Sequence, residues 1–281
     1  MPDLAVLIER HLVSPASRLP VRVDNGKITA IGNPFAGRVQ DGVAVMLEDV
    51  PVSYFDDKFA VMHSGHEERG GEWRFAYAQQ IALLETRLRK GGVVVDVGCG
   101  PSLPYAKPAD AFVIGMEYSL PSIAANNNVD LRVCASAAAM PFADRSIDTV
   151  VCLYSIHHMV GPDIAATEAL VTQVFRELAR VIKPGGEILI FEMAPLAGLG
   201  LLERVLWNPA KKALGSKLDQ FFWPATKLGS LATAAGISAD LSLTQFASPA
   251  WTTFPPFFSL QWLRIPRFLY PLMPVLYRWR F

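Results

Sequence analysis

The spacing of apolar positions divides the chain into segments with different predicted structures. Between residues 1 and 47 apolar and polar residues alternate in short runs such as LPVRV, KITAI and GVAVML, which the turn sequences DNG, GNP and DG separate. Alternation over a few residues, bounded by Gly, Asn and Asp, is typical of short strands joined by tight turns. The pattern predicts a small β-rich unit over residues 1–50.

The period changes to a helical one in the next segment, residues 51–92. Phe75, Ile81, Leu84 and Leu88 follow one another at roughly helical spacing within EWRFAYAQQIALLETRL. Apolar residues three and four positions apart lie on one face of a helix. We therefore predict a helix that leads directly into the first strand of the following segment.

From residue 93 to 245 apolar strand-like runs alternate with helical patterns. The runs are VVVDVG, AFVIGMEYS, LRVCAS, DTVVCLYS and EILIFEM, with a helix around ALVTQVFRELARVI. Such alternation predicts an α/β fold with a doubly wound parallel sheet. The first run ends in a loop with Gly98 and Gly100, but Leu103 stands where a dinucleotide site has its third glycine.

Composition restricts the partners of the protein. The chain has 281 residues, of which 51% are hydrophobic, and its formal net charge is zero. Nucleic-acid binding depends on clustered Lys and Arg, so we expect no nucleic-acid partner.

The N-terminus has acidic residues among its apolar ones and no basic leader, which predicts a cytoplasmic protein. Three cysteines without paired spacing predict neither a metal site nor a disulfide.

The C-terminal extension, residues 246–281, combines aromatic residues, arginines and prolines. The prolines interrupt every apolar run, so the segment is too irregular for a transmembrane helix. Three interpretations are open. The extension packs on the N-terminal unit, or it forms the wall of a pocket for a lipophilic acceptor, or it makes a peripheral contact with an anionic membrane surface.

Four motifs in order resemble those of class I S-adenosylmethionine-dependent methyltransferases. They are DVGCG, the acidic Glu117 at the end of the next strand, AMPFADRSIDTVVCLYSIHH and FRELARVIKPGGEILIFEM. The match is closest to the group that includes the ubiquinone and menaquinone methyltransferases. The resemblance implies a Rossmann-like sheet and S-adenosyl-L-methionine as the cofactor, which has no pyrophosphate to seat and so tolerates Pro101 and Leu103.

The N-terminal unit has a resemblance of its own. Its sequence is similar to the zinc-ribbon-like domain of tRNA-methyltransferase activator subunits, with Asp41 and Gly42 at the closing turn. Ser14 and Ser17 stand where that domain has its metal-binding cysteines. The resemblance implies a degenerate domain without metal.

The methyltransferase resemblance also implies a set of cofactor contacts. Glu117 lies about 20 residues after the glycines, the spacing at which a carboxylate accepts hydrogen bonds from ribose hydroxyls. Asp96 is expected near the methionine amino group, and Ser136, where the family often has Asp, near the adenine. The remaining predicted contacts are Gly98, Gly100, Tyr118, Ala137, Leu153 and Tyr154.

His157 and His158 are the candidate catalytic residues. Both follow the fourth strand of the methyltransferase pattern, where acceptors approach in this fold, and an imidazole can serve as a base near neutral pH. The alternative is that one of them only packs locally. Residues 51–92 are expected to form a lid, or else an exposed glycine-rich loop, and the candidate substrate contacts are Tyr54, Phe59, His66, Trp73, Tyr77 and Glu192.

These features predict a methyltransferase (EC 2.1.1) for a small, lipophilic or aromatic metabolite, with oxygen or nitrogen favoured over carbon as the acceptor. One alternative is a non-catalytic S-adenosylmethionine-binding partner or activator subunit. Another is an NAD-dependent oxidoreductase, which Leu103 disfavours. A homodimer is compatible with the sequence.

Overall fold

The computed structural model describes residues 3–30, 33–50, 78–88, 90–194, 197–215 and 218–237, together with residues 242 and 244. In these parts of the chain the elements follow in this order: α1 (Leu4–His11), β1 (Val21–Asp24), β2 (Lys27–Ala30), β3 (Asn33–Gln40), β4 (Val43–Val45), α2 (Ala78–Leu88), β5 (Gly92–Val97), β6 (Ala111–Glu117), α3 (Leu120–Ala125), β7 (Leu131–Cys134), β8 (Ile147–Leu153), a 3₁₀ helix (Ile156–His158), α4 (Ile164–Val181), β9 (Ile182–Phe191), α5 (Ala197–Leu214) and α6 (Ala225–Ala234).

The described strands form one sheet in the order β1-β2-β3-β4-β7-β6-β5-β8-β9. Every pair from β4 to β9 is parallel, and β1 to β4 are antiparallel. The chain passes from β5 outward to β7 and then returns to β8 on the other side of β5. The carboxyl ends of β5 and β8 therefore flank the crevice at which doubly wound sheets bind ligands. The predicted α/β fold with a Rossmann-like sheet is confirmed.

The N-terminal strands extend this sheet. Strand β4 pairs in parallel with β7, with Ala44 opposite Val133 and Val45 opposite Cys134. The pairing continues past the strand, since the Met46 N–H donates to the Cys134 carbonyl at 2.8 Å. Backbone hydrogen bonds thus join the first strands to the edge of the parallel sheet. The division of the chain at residues 50, 92 and 245 stays a prediction.

Two tight turns shape the antiparallel part of the sheet. Asn25 and Gly26 join β1 to β2, and Asp41 and Gly42 join β3 to β4; all four residues have positive φ, between 49° and 76°. Two consecutive residues with positive φ are typical of the type I′ turn, whose twist matches that of paired strands. The DNG and DG signals therefore mark the hairpins that the sequence predicts.

One predicted boundary differs from the observed one. The last strand-like run in the sequence is EILIFEM, whereas β9 begins at Ile182 and includes the preceding KPGG sequence. The register explains the difference: Ile147 pairs with Ile182, but Thr149 pairs with Glu187, so the intervening residues of β9 bulge out of the ladder. Gly185, with φ of +79°, lies in this bulge.

A buried ionic cluster ties the N-terminal segment to α4. The Glu177 side chain accepts hydrogen bonds from Arg18 at 2.9 Å, from Arg180 at 2.8 Å and from the Met140 N–H at 2.7 Å. Arg18 also donates to the Met140 carbonyl at 2.8 Å. Glu177 is only 3% exposed, so these partners take the place of water around its carboxylate. No sequence pattern indicated this cluster.

No helix in the described residues combines the length and the apolar character that a membrane span requires. The C-terminal extension, residues 246–281, lies outside the described residues, and its three interpretations stay open.

Candidate functional site

A cavity of about 560 Å³ opens at the carboxyl ends of β5, β6 and β8. Its volume falls within the range of about 300–1,000 Å³ that is usual for small-molecule sites. The loops after these strands form its wall, together with α2 and the segment after β7. Every residue predicted to contact the cofactor lines this cavity, and so do both candidate catalytic histidines: Asp96, Gly98, Gly100, Glu117, Tyr118, Ser136, Ala137, Leu153, Tyr154, His157 and His158.

The two loop glycines have different surroundings. Gly98 has φ of +74°, and a Cβ placed on it would lie 2.5 Å from the Cβ of Ser155. Gly100 has φ of +60°, but a Cβ there would meet no atom within 4 Å. Gly98 is therefore required for close approach of the β5 and β8 loops. A side chain at residue 100 would instead project into open space.

Asn126 holds the glycine loop in place. Its side chain is fully buried, and its Nδ2 donates to the Gly100 carbonyl at 2.9 Å. The same nitrogen lies 3.7 Å from the Cys99 sulfur. This contact comes from the residue just after α3, so sequence spacing alone does not indicate it. The loop conformation thus depends on α3 as well as on its own glycines.

Glu117 ends β6 with its carboxylate at the cavity wall. Its Oε1 accepts from the Tyr118 N–H at 2.6 Å and from the Ser119 N–H at 3.2 Å, while its Oε2 accepts from the Gly100 N–H at 3.2 Å. These backbone donors fix the orientation of the carboxylate and link it to the glycine loop. The role of Glu117 at the ribose stays a prediction.

Asp96 is buried at the base of the cavity, only 2% exposed. Burial raises the pKa of its carboxyl group to about 7; the hydrogen bond from Tyr105 opposes the increase, and the charge of Glu117 adds to it. The Tyr105 hydroxyl donates to Asp96 Oδ2 at 2.7 Å. A cationic ligand group beside Asp96 would favour the ionised carboxylate. Sequence reasoning did not identify Tyr105.

Ser136 and Ala137 follow β7 at another part of the wall. The Ser136 hydroxyl accepts a hydrogen bond from the Ala138 N–H at 3.3 Å. This local contact orients the serine beside the cavity, where the resemblance expects the adenine. Tyr118, which is 44% exposed, lies at the rim.

Tyr154 has an unusual backbone conformation. Its φ is +54°, a left-handed value that non-glycine residues adopt at some cost. Its N–H donates to the Phe191 carbonyl at 2.8 Å, and its hydroxyl accepts from Gln80 of α2 at 3.3 Å. Burial raises the pKa of the Tyr154 phenol to about 12, so it stays neutral. These two hydrogen bonds hold the tyrosine at the cavity despite its strained backbone conformation.

His157 is oriented by a buried carboxylate. Its Nδ1 lies 2.7 Å from Oε2 of Glu192, and the two side chains are 5% and 8% exposed. Glu192 Oε1 accepts from the Ile156 N–H at 2.6 Å, which anchors the carboxylate. Phe222 stacks on the imidazole with ring centroids 5.0 Å apart. Glu192, predicted as a substrate contact, thus contacts His157 and does not itself belong to the cavity lining.

His158 has a different environment. Its ring centroid lies 4.2 Å from that of His157. Burial lowers the pKa of His158 well below its usual value and the neighbouring His157 acts in the same direction, while a hydrogen bond with the Asp219 backbone opposes both. His158 is therefore neutral at physiological pH.

Beyond the histidines the cavity wall becomes apolar. The side chains in this part come from the segment after the 3₁₀ helix, from α4 and from the segment that follows β9. They are Met159, Val160, Leu170, Val174 and Met193. The sequence alone does not distinguish such apolar residues from ordinary residues of the hydrophobic core.

The predicted substrate contacts Tyr54, Phe59, His66, Trp73 and Tyr77 lie outside the described residues. Their roles stay predictions.

Comparison with known proteins matches residues 95–190 to the family described as "Methyltransferase domain". Demethylmenaquinone methyltransferase of Corynebacterium urealyticum is 31% identical over 155 residues, which cover 54% of this chain and 60% of that protein. 27-O-demethylrifamycin SV methyltransferase of Amycolatopsis mediterranei is 35% identical over 113 residues, covering 36% and 38%. Probable tRNA methyltransferase 9B of Mus musculus is 29% identical over 108 residues, covering 38% and 23%.

The chain spans about a quarter of the length of the first of these curated relatives, the tRNA methyltransferases. The names of the relatives include both small-molecule and tRNA substrates. The more specific resemblances, to the ubiquinone and menaquinone group and to the zinc-ribbon-like activator domain, therefore stay predictions. Residues 95–190 are thus similar to a methyltransferase domain, and this similarity supports S-adenosylmethionine as the cofactor.

Proposed function

We propose that this protein transfers a methyl group from S-adenosylmethionine to an oxygen or nitrogen atom of a small, lipophilic or aromatic metabolite, with His157 as the general base. One observation carries the proposal. His157 lines the same cavity as the predicted cofactor contacts, and the buried carboxylate of Glu192 holds its Nδ1 at 2.7 Å.

The donor end of the cavity suits the three parts of the cofactor. Glu117 would accept hydrogen bonds from the ribose hydroxyls, and Asp96 would attract the ammonium of the methionine part. Ser136 and Ala137 would lie at the adenine. Leu153 and Tyr154 would lie near the sulfonium, which supplies an electrophilic methyl group when the cofactor is bound.

The His157–Glu192 pair supports base catalysis. When Nδ1–H donates to the Glu192 carboxylate, Nε2 of the neutral ring is left as an acceptor. As the acceptor atom forms its bond to the methyl carbon, the carbon–sulfur bond breaks and the acceptor proton moves to Nε2. Glu192 then stabilises the imidazolium, which is the role of the carboxylate in other His–carboxylate pairs. His158 has a lowered pKa and is less suited to accept the proton.

The acceptor end favours an apolar molecule. Met159, Val160, Leu170, Val174 and Met193 offer hydrocarbon and thioether surface with few hydrogen-bond partners. Burial of apolar surface contributes roughly 25 cal/mol per Å², so such a wall selects for a lipophilic or aromatic body. Proximity and alignment with the methyl donor then supply much of the rate.

Two measurements test the proposal. Calorimetry is expected to show binding of S-adenosylmethionine and of its demethylated product. Incubation of the protein and the cofactor with metabolite extracts is expected to give, by mass spectrometry, a product heavier by one methyl group. A folded protein that binds neither compound at millimolar concentration contradicts the proposal.

The base assignment has its own test in His157→Ala. General-base contributions are typically about 10²–10⁴-fold, so we expect turnover to fall by that order while cofactor affinity stays within about twofold. His158→Ala is the matched control and should retain more activity. Equal turnover of His157→Ala and the parent protein would leave alignment alone as the mechanism.

A tRNA substrate is the second candidate function, because relatives named as tRNA methyltransferases match the chain. The net charge of zero argues against it, since phosphate binding requires an excess of local positive charge. Incubation with unmodified tRNA and labelled cofactor distinguishes the two candidates. Incorporation into tRNA, with none into metabolite extracts, would favour the second.

A further inference from the structure

Helix α5 (Ala197–Leu214) has an apolar face turned toward solvent. Leu201 and Val205 are each 66% exposed, and Leu202 and Leu206 are 45% and 38% exposed. Residues three or four positions apart are neighbours on one side of a helix, and the pairs 201/205, 202/205 and 202/206 have these separations, so the four side chains form one continuous stripe. We call it the α5 face. Trp207, at 1% exposure, lies on the opposite, buried side.

The charges along α5 have one sign at the surface. Arg204 and Lys212 are exposed, whereas Glu203, the acidic residue of the helix, is only 8% exposed. Lys211 lies over the Trp207 ring, 5.6 Å from its centroid. The exposed side of the helix therefore presents apolar side chains together with positive charge. That combination is typical of helices that lie in a membrane interface.

Charge complementarity selects among the occupants of the α5 face. The C-terminal extension contains no Asp or Glu and several arginines, so it offers nothing to neutralise Arg204 and Lys212. A second copy in a two-fold arrangement would bring the same basic residues together. An anionic lipid surface complements both the apolar stripe and the positive charge.

We propose that α5 binds the surface of an anionic membrane, with Leu201, Leu202, Val205 and Leu206 among the outer acyl carbons and Arg204 and Lys212 at the phosphates. The helix also adjoins the cavity, because Trp207 Nε1 donates at 3.1 Å to the carbonyl of Gln220, a residue that lines the cavity. If the proposed function holds, a lipophilic acceptor would reach the cavity beside a membrane-bound helix. The membrane contact itself does not depend on that function.

The test is flotation of the full chain with lipid vesicles. One set contains phosphatidylcholine alone, and the other contains about a third phosphatidylserine, both at about 0.1 M salt. We expect binding to the anionic set and at least about fivefold weaker binding to the neutral set. Equal binding to both sets, or no binding to either, overturns the proposal.

Two double variants with matched controls assign the binding to α5. Leu201→Gln/Val205→Gln should weaken binding by at least about tenfold, and Arg204→Gln/Lys212→Gln by about fivefold for each charge removed. The controls are Val6→Gln, at a side chain that is 56% exposed on α1, and Lys27→Gln, at an exposed site on β2; both should bind as the parent protein does. Unchanged binding of the α5 variants overturns the proposal.

Two further comparisons remove competing explanations. In the first comparison, the α5 substitutions are made in a protein whose C-terminal arginines have been replaced by glutamine. They should weaken vesicle binding by the same factor as in the parent protein. If they cause no additional loss of vesicle binding in that protein, the assignment to α5 is overturned. Sedimentation tests whether a second copy of the chain covers the α5 face. The proposal is overturned in favour of a second copy if the parent protein self-associates without binding vesicles and the Leu201→Gln/Val205→Gln variant does not self-associate. Calorimetry with S-adenosylmethionine on the same variants should show unchanged affinity, which separates this test from that of the proposed function.

Discussion

At the scale of single residues, backbone conformation and contacts separate positions that look alike in the sequence. Gly98, Gly100 and Gly185 all have left-handed φ values, between 60° and 79°. Only Gly98 faces an atom that a Cβ would overlap, the Cβ of Ser155 at 2.5 Å; the other two have none within 4 Å. The cost of adding a methyl group should therefore differ among them.

We predict that Gly98→Ala destabilises the protein more than Gly185→Ala does. A left-handed alanine costs about 1–2 kcal/mol at either position, and the overlap with Ser155 adds about 1–3 kcal/mol at residue 98 alone. Urea unfolding measures both changes, and calorimetry should show weaker cofactor binding for Gly98→Ala only. Equal losses of stability would contradict the close approach of the two loops.

A second prediction at this scale concerns Asp96. Because burial raises the pKa of its carboxyl to about 7, an increase of pH through 7 ionises it and should strengthen binding of the cationic cofactor. The native state also binds more protons than the unfolded chain between about pH 4 and 7, so this group lowers stability progressively across that window as the pH rises.

Calorimetry from pH 6 to 8 checks the effect. The dissociation constant of the parent protein should fall with pH, while Asp96→Asn should bind more weakly and with a flatter profile. An identical pH profile for the two proteins would exclude Asp96 as the titrating group.

At the scale of elements, β4 is placed to support the cofactor loop. Val43 and Val45 form a buried cluster with Cys99 of the glycine loop, Ile123 of α3 and Cys134 of β7. Strand β4 also supplies the parallel backbone pairing at the edge of β7. The N-terminal strands therefore contact the same loop that Asn126 holds from α3.

We predict that Val45→Ala weakens cofactor binding as well as stability. Removal of buried methyl groups from valine should cost about 1–3 kcal/mol in the free energy of unfolding, and the loosened cluster should raise the dissociation constant several-fold. Val21→Ala, at an equally buried residue of β1 away from that cluster, is the control and should lose stability with unchanged cofactor affinity. If both variants bind the cofactor as the parent does, β4 has no role in supporting the loop.

At the scale of the whole molecule, the Glu177 cluster connects segments far apart in the chain. Arg18 precedes β1, Met140 follows β7, and Glu177 and Arg180 belong to α4. Asp144 also bonds Arg180, but its side chain is 68% exposed. Burial distinguishes these two carboxylates, although both appear in the sequence as ordinary acidic residues.

We predict that Glu177→Ala costs about 3 kcal/mol or more, because it leaves two arginines without their buried partner. Asp144→Ala should cost no more than about 1 kcal/mol, as is usual for exposed ion pairs. Urea unfolding followed by circular dichroism measures both. Similar values for the two variants would show that the cluster adds nothing beyond a surface ion pair.

Sequence patterns alone predicted the five strands β5 to β9, the helical character of α2 and α4, the hairpin turns and many of the residues that line the cavity, whereas α1, α3, α5 and α6 were not predicted. These predictions were possible because parallel strands buried on both faces and turns with positive φ each impose a local pattern on the residues. The matched methyltransferase motifs and the glycine loop are likewise short and local, so the cofactor could be predicted from them.

Which distant residues meet depends on the tertiary structure. The contacts of Glu192 with His157, Tyr105 with Asp96, Asn126 with Gly100 and Gln80 with Tyr154 join segments that have no fixed spacing. The pairing of β4 with β7 and the exposure of the α5 face have the same origin. Such contacts depend on how the chain packs in three dimensions. The sequence cannot reveal them, because an acidic, amide or leucine residue is written identically whether its side chain is buried against a partner or exposed on the surface.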